Sequence, residues 1–100
     1  MIGEHVLYGT IFNLQPKPGH KQELLEVLNV ENKPEGGVAW FVMDPDDSDE
    51  LIGVAVFESK EAHIANANRP EQHEFFTRMM EHLISEPVWT DGTYVLGEIA

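Results

Sequence analysis

Cysteine is absent from this 100-residue chain, which excludes disulfides and every form of thiolate chemistry. Basic residues are scarce: 6 Lys and Arg stand against 18 Asp and Glu, for a formal net charge of −12. Such a surface repels phosphate backbones and anionic lipid, so neither nucleic acid nor a membrane is expected as a partner. No apolar run approaches the roughly 18 residues of a membrane span. Met1-Ile2-Gly3-Glu4-His5 has neither the basic nor the apolar region of a signal peptide, and the expected location is cytoplasmic. Internal repeats, linkers and low-complexity tracts are also missing. The expectation is one domain over residues 1–100, whose 42% apolar content is enough for a core. A domain this small buries a limited share of its surface, so self-association is a natural further source of stability.

What is present is organised around residues 51–84. Leu51 to Phe57 is rich in Val, Ile and Ala, as a strand covered on both faces would be. Ser59 then offers an N-cap hydroxyl, and Glu61 falls in the positive first turn of a helix. That helix runs through Ala62, Ile64, Ala65 and Ala67 to Asn68-Arg69. Pro70 blocks continuation but suits the first turn of a new helix. In it Phe75, Phe76, Met79, Met80, Leu83 and Ile84 form the clearest helical stripe in the chain.

Upstream, His5 to Leu14 alternates, with Val6, Tyr8, Thr10, Phe12 and Leu14 on one face and Leu7, Gly9, Ile11 and Asn13 on the other. Pro16 and Pro18-Gly19 end this strand. A helix is expected from about Gly19 to Val30, then a polar loop over Asn32 to Gly37. In a second strand, Val38 to Met43, the residues Val38, Trp40 and Val42 oppose Ala39, Phe41 and Met43. The acidic segment Asp44 to Glu50 lacks the central glycine and distant glutamate of a calcium loop and reads as a solvated turn. Val88 to Leu96 is the last strand, with a tight turn suggested at Asp91-Gly92. The order β-α-β-β-α-α-β predicts a ferredoxin-like α+β fold: a split βαβ, four antiparallel strands and helices on one face. Because the strands are apolar on both faces and helices can cover only one, a homodimer is expected to cover the other.

Val54 to Phe76, VAVFESKEAHIANANRPEQHEFF, resembles the antibiotic biosynthesis monooxygenase domains of the dimeric α/β-barrel superfamily. The similarity takes in a strand ending in an aromatic and Glu-Ser, a helix with Glu-Ala, and a second helix opening near proline. The helix start PGHKQELLEVL and the ending Trp89-Thr-Asp-Gly-Thr-Tyr94 support it, and it spans roughly Tyr8 to Val95. The resemblance implies a dimeric α/β barrel. The readings that go with it are a cofactor-independent monooxygenase acting on an aromatic or quinol-like small molecule, a non-catalytic small-molecule-binding or stress-associated domain of the same fold, or a subunit that only contributes dimer surface to a larger assembly. In the first, the substrate anion itself supplies electrons to oxygen, so no metal, flavin or other cofactor is expected. The family's histidine in the first of the paired helices aligns with Asn66. The helix Trp and His of haem-degrading members align with Asn66 and Phe76, which disfavours haem degradation.

Cofactor-free oxygenation asks for an apolar cavity, groups favouring a substrate anion, and a base. His63 and Asn66, three apart on one helix face, and His73, at the edge of the apolar stripe, are the candidate catalytic residues. The other reading of His73 is a half-buried boundary histidine. Tyr8 and Asn13, with Thr10, are candidate pocket groups on the first strand. Arg69 is a candidate anion anchor or a helix-junction donor. Phe76 and Trp40 are candidate substrate-binding residues, and Trp40, Phe41 and Trp89 read as core or dimer-interface aromatics with stacking on a planar ligand as the alternative. His63, His73 and His82 show no HxxxH or HExxH spacing, and no bound metal is expected.

Overall fold

The computed structural model describes residues 7–29 and 34–98. Within them the order is β1 (Tyr8–Leu14), α1 (Lys21–Leu28), β2 (Gly37–Met43), β3 (Leu51–Phe57), α2 (Lys60–Ala67), α3 (Pro70–Met80) and β4 (Val88–Thr93). The strands form one antiparallel sheet in the order β2-β3-β1-β4, the ferredoxin-like arrangement that the element order predicts. No helix of the described residues is long and apolar enough to cross a membrane.

Register assigns the faces. Phe12 stands opposite Gly53 and Trp89, Leu14 opposite Leu51, and Thr10 opposite Ala55 and Asp91. Directly paired residues share a face, so these side chains lie together on the helix side. There Phe12, Leu14 and Leu51 meet Leu24 and Leu28 of α1, Met79 of α3 and Leu83 to form the core. Gly53 is required by this packing. A Cβ at that position would come within 2.1 to 2.7 Å of three atoms of the Phe12 ring.

On the other side of the sheet, Tyr94 lies against Gly9, where a Cβ would stand 2.9 Å from the Tyr94 ring. Its hydroxyl donates to the carbonyls of Ala55 at 2.9 Å and Thr10 at 3.3 Å. Most of this face is apolar: Ile11, Phe41, Met43, Ile52, Val54, Val56 and Val88 have the outward parity, which the uncharged polar residues Asn13 and Thr90 share. Phe41 and Val88 are each 68% exposed.

Four boundaries differ from those expected. The α3 helix stops at Met80, although the apolar stripe continues to Ile84. Beyond it the chain pairs with the end of β1: Lys17 N–H donates to the His82 carbonyl at 2.9 Å, and Ile84 N–H to the Gln15 carbonyl at 2.8 Å. An isolated Pro16–Leu83 bridge forms between them, which keeps Leu83 buried and turns Ile84 outward. At the other end of the domain, β4 passes straight through Asp91-Gly92 without a tight turn, because pairing to β1 continues from Val88 to Thr93. The first strand begins at Tyr8, with His5 and Val6 outside the described residues. Helix α1 is shorter than expected because Pro18-Gly19 forms a turn, Gly19 at φ 80°, before it; Val30 also lies outside the described residues.

Candidate functional site

Ser59 sets the position of the site. Its extended backbone and its Oγ, which accepts the Ala62 N–H at 3.0 Å, start α2 directly after β3. From that start, His63 and Asn66 fall on one face of the helix. Arg69 is then extended, and Pro70 opens α3 at its first turn. The two helices lie in succession over the sheet, and between them and the strands is an open cavity of about 820 Å³.

The floor of the cavity comes from the sheet: Thr10 and Phe12 of β1, Trp40 of β2, Ala55 and Phe57 of β3, and Trp89 and Asp91 of β4. Its roof comes from His63 and Asn66 of α2 and from Gln72, His73, Phe75, Phe76 and Met79 of α3. Phe75 and Met79 line the space and do not fill it. Phe12, Trp89 and Phe76 form an aromatic row, with Trp89 at 4.8 Å from Phe12 and 6.4 Å from Phe76 between ring centroids. Size and lining are those of a site for a small organic molecule: a few hundred cubic ångströms, mostly apolar, with few polar groups.

The polar groups are individually fixed. His63 is half-buried between two rings, 5.5 Å from Tyr8 and 5.2 Å from Phe57. Asn66 Oδ1 accepts from Arg69 Nη1 at 2.9 Å, which orients the amide and leaves Nδ2 as its donor group. Arg69 is held in turn by Glu71, through Nε to Oε2 at 3.3 Å. Thr10 Oγ1 is buried and has no hydrogen-bond partner among the described residues. A buried hydroxyl without a partner is costly, and a polar ligand atom would satisfy it.

Of the residues expected from sequence, the structure brings His63, Asn66, His73, Trp40 and Phe76 to the cavity wall. His73 is exposed, at the rim. Tyr8 shares the inward parity but lies behind His63, with Lys60 Nζ 5.9 Å from its ring centroid. Arg69 stands outside the lining and acts on it through Asn66. Asn13 is corrected: it is exposed on the opposite face of the sheet, because Phe12 and Leu14 on either side of it point to the helices. Trp89, read from sequence as a core or interface aromatic or as a stacker on a planar ligand, joins the lining, as do Asp91 and Gln72, which were not singled out. A continuous β4 was the missing signal, since period-2 parity from Trp89 places Asp91 on the Phe12 face.

No protein-family model and no curated protein matches the sequence significantly. Solved structures do match. A protein named "putative antibiotic biosynthesis monooxygenase" from Nitrosomonas europaea superimposes with a TM-score of 0.80 at 9% identity, covering 95% of this chain and 96% of that one. One of the same name from Chloroflexus aurantiacus has 24% identity and a TM-score of 0.68, covering 91% of this chain and 97% of that chain. NE2512, a protein of unknown function from Nitrosomonas europaea, gives a TM-score of 0.78 at 19% identity, with 98% of each chain covered. The chain thus has the fold of the structures named antibiotic biosynthesis monooxygenases, over nearly its whole length.

Proposed function

We propose that this protein is a cofactor-independent monooxygenase that binds an aromatic or quinol-like molecule between the sheet and the α2–α3 pair. The observation that carries the reading is the 820 Å³ cavity, in which an aromatic row faces a short list of convergent polar groups. A planar ring fits the Phe12–Trp89–Phe76 row, stacking at offset or tilted geometry. A phenolic oxygen then reaches the His63 and Asn66 side.

Oxygenation of an electron-rich phenol begins with loss of its proton, because the anion is the species that gives an electron to oxygen. Imidazole is the side chain suited to that transfer near neutral pH, which assigns His63 as base. The Asn66 amide, oriented by Arg69, donates to the phenolate oxygen. Thr10 Oγ1 supplies a second polar contact from the floor. His73, at the rim, contacts the entering molecule. The active unit is a homodimer joined through the outer sheet face, which carries no charged residue on its strands although the chain has a net charge of −12.

Oxygen uptake with a naphthalene hydroquinone, without added metal or flavin, is the test. The expected result is enzyme-dependent uptake above the autoxidation rate, reduced about 100-fold by His63→Ala and less by Asn66→Ala. Saturable binding of the hydroquinone without uptake would replace this reading with that of a non-catalytic binding domain. Absence of both would end the assignment of the cavity.

A further inference from the structure

Outside the cavity, the fold brings together three groups that are far apart in sequence. His20 stands at the N-cap position of α1, Glu23 in its first turn, and His82 just beyond the end of α3. His20 Nδ1 lies 3.1 Å from His82 Nδ1, and Glu23 Oε2 lies 3.8 Å from His82 Nδ1. One ligand atom from each of the three falls within 4.8 Å of the others. None of the three lines the cavity.

We propose that His20, Glu23 and His82 form a binding site for one divalent transition-metal ion of the zinc type. Two imidazole nitrogens and a carboxylate are a ligand set that Zn²⁺ favours. Bonds of 2.0 to 2.1 Å in tetrahedral geometry set neighbouring ligand atoms about 3.3 Å apart. The two Nδ1 atoms already stand at nearly that separation. Glu23 Oε2 stands at 3.8 Å from His82 Nδ1, and its exposed side chain has room to turn toward the ion. Three protein ligands leave a fourth position for water.

The backbone around the site is tied on both sides. Lys17 N–H donates to the His82 carbonyl at 2.9 Å, His20 N–H to the Lys17 carbonyl at 2.9 Å, and Ile84 N–H to the Gln15 carbonyl at 2.8 Å. His20 makes no side-chain cap for α1; its ring turns to His82 instead. Both rings are half-buried. Without an ion, a contact of 3.1 Å between two Nδ1 atoms needs one ring to donate and the other to accept. With an ion, both Nδ1 atoms are ligands and both rings carry their proton on Nε2. The expectation of no metal compared only His63, His73 and His82; the partners of His82 come from the start of α1, 62 positions away in the case of His20.

Equilibrium dialysis of the intact chain against Zn²⁺ tests the site, with Co²⁺ absorption reporting coordination. The expected result is one Zn²⁺ per chain, a Co²⁺ complex with the intense visible bands of a four-coordinate ion, and a rise in Tm on binding. Zn²⁺ affinity should fall at least about tenfold in His82→Asn and in Glu23→Gln. The exposed Glu23 variant keeps the test valid should His82→Asn fold poorly. The double change Asp46→Asn with Asp47→Asn, in the acidic turn after β2, should leave affinity unchanged. Failure to bind Zn²⁺ would overturn the proposal. So would binding that survives Glu23→Gln and His82→Asn, or binding abolished by the change in the acidic turn.

Discussion

Tyr94 ties three strands together with one hydroxyl. It follows β4, its ring covers Gly9 of β1, and its O–H donates to carbonyls of β3 and β1. Burial raises its pKa above the ordinary 10.0 of a tyrosine, since a phenolate there would lose its hydrating water. The sign of the pH effect follows. A folded-state pKa above the unfolded value means the native state holds the proton longer, so the stabilisation is complete below pH 10.0 and is lost as pH rises through the folded pKa. Urea denaturation from pH 8 to 11 should show wild-type stability falling above about pH 10 more steeply than that of Tyr94→Phe. At pH 8 the phenylalanine variant should be about 1 kcal/mol less stable, from the lost hydrogen bonds. Equal slopes for the two proteins would remove Tyr94 as the cause. Sequence pattern alone places the residue inside a last strand running to Leu96, with no role of its own, whereas β4 ends at Thr93. Its role depends on Gly9, and the pairing that brings the two together is visible only in the folded sheet.

The α2–α3 pair was legible to a greater degree because its punctuation is chemical. Ser59 and Pro70 fix two helix starts by hydrogen bonding and by ring geometry, both local effects, and both appear where expected. The ends of elements were less legible because tertiary pairing decides them. Leu83 and Ile84 keep the helical period, yet backbone bonds to Gln15 and Lys17 take the segment away from the helix. Asp91-Gly92 has turn chemistry, yet β1 holds it extended. The cavity inherits this division. Its roof residues His63, Asn66 and His73 follow from helix periodicity, whereas Asp91 and Trp89 of its floor depend on a strand boundary that the turn signal obscured. Since α2 is only eight residues and buries no residue fully, its start should depend on the cap. Ser59→Ala is expected to cost about 1 kcal/mol of stability in urea melts. It should also weaken hydroquinone binding, because His63 and Asn66 are positioned from that helix start. Unchanged binding in a destabilised protein would mean that packing on β1 and β3, without the cap, places α2.

At the scale of the whole molecule, the two faces of the sheet tell different stories. One is covered by helices over a dry core in which Leu14, Leu24 and Leu51 are fully buried. The other exposes Ile11, Phe41, Met43 and Val88, with Val95 and Leu96 beyond the last strand also uncovered. Monomeric soluble proteins rarely leave a contiguous apolar face of this kind open. The proposal that a second copy covers it rests on charge. A chain at −12 repels its own copies over most of its surface, but its outer sheet face contributes no carboxylate from the strands, so two copies can approach there alone. Stacking the two sheets about 10 Å apart would bury those side chains across a two-fold axis. Light scattering at micromolar concentration is expected to give twice the 11.3 kDa chain mass. Phe41→Glu, placed at the 68%-exposed position of β2, should yield a monomer with unchanged far-ultraviolet circular dichroism, since the residue makes no part of the helix-side core. Added salt should strengthen the wild-type dimer by screening the repulsion between its acidic rims. A wild-type protein that stays monomeric at high salt would show that these side chains face water or another partner, and the outer face would then have to be explained without a second copy.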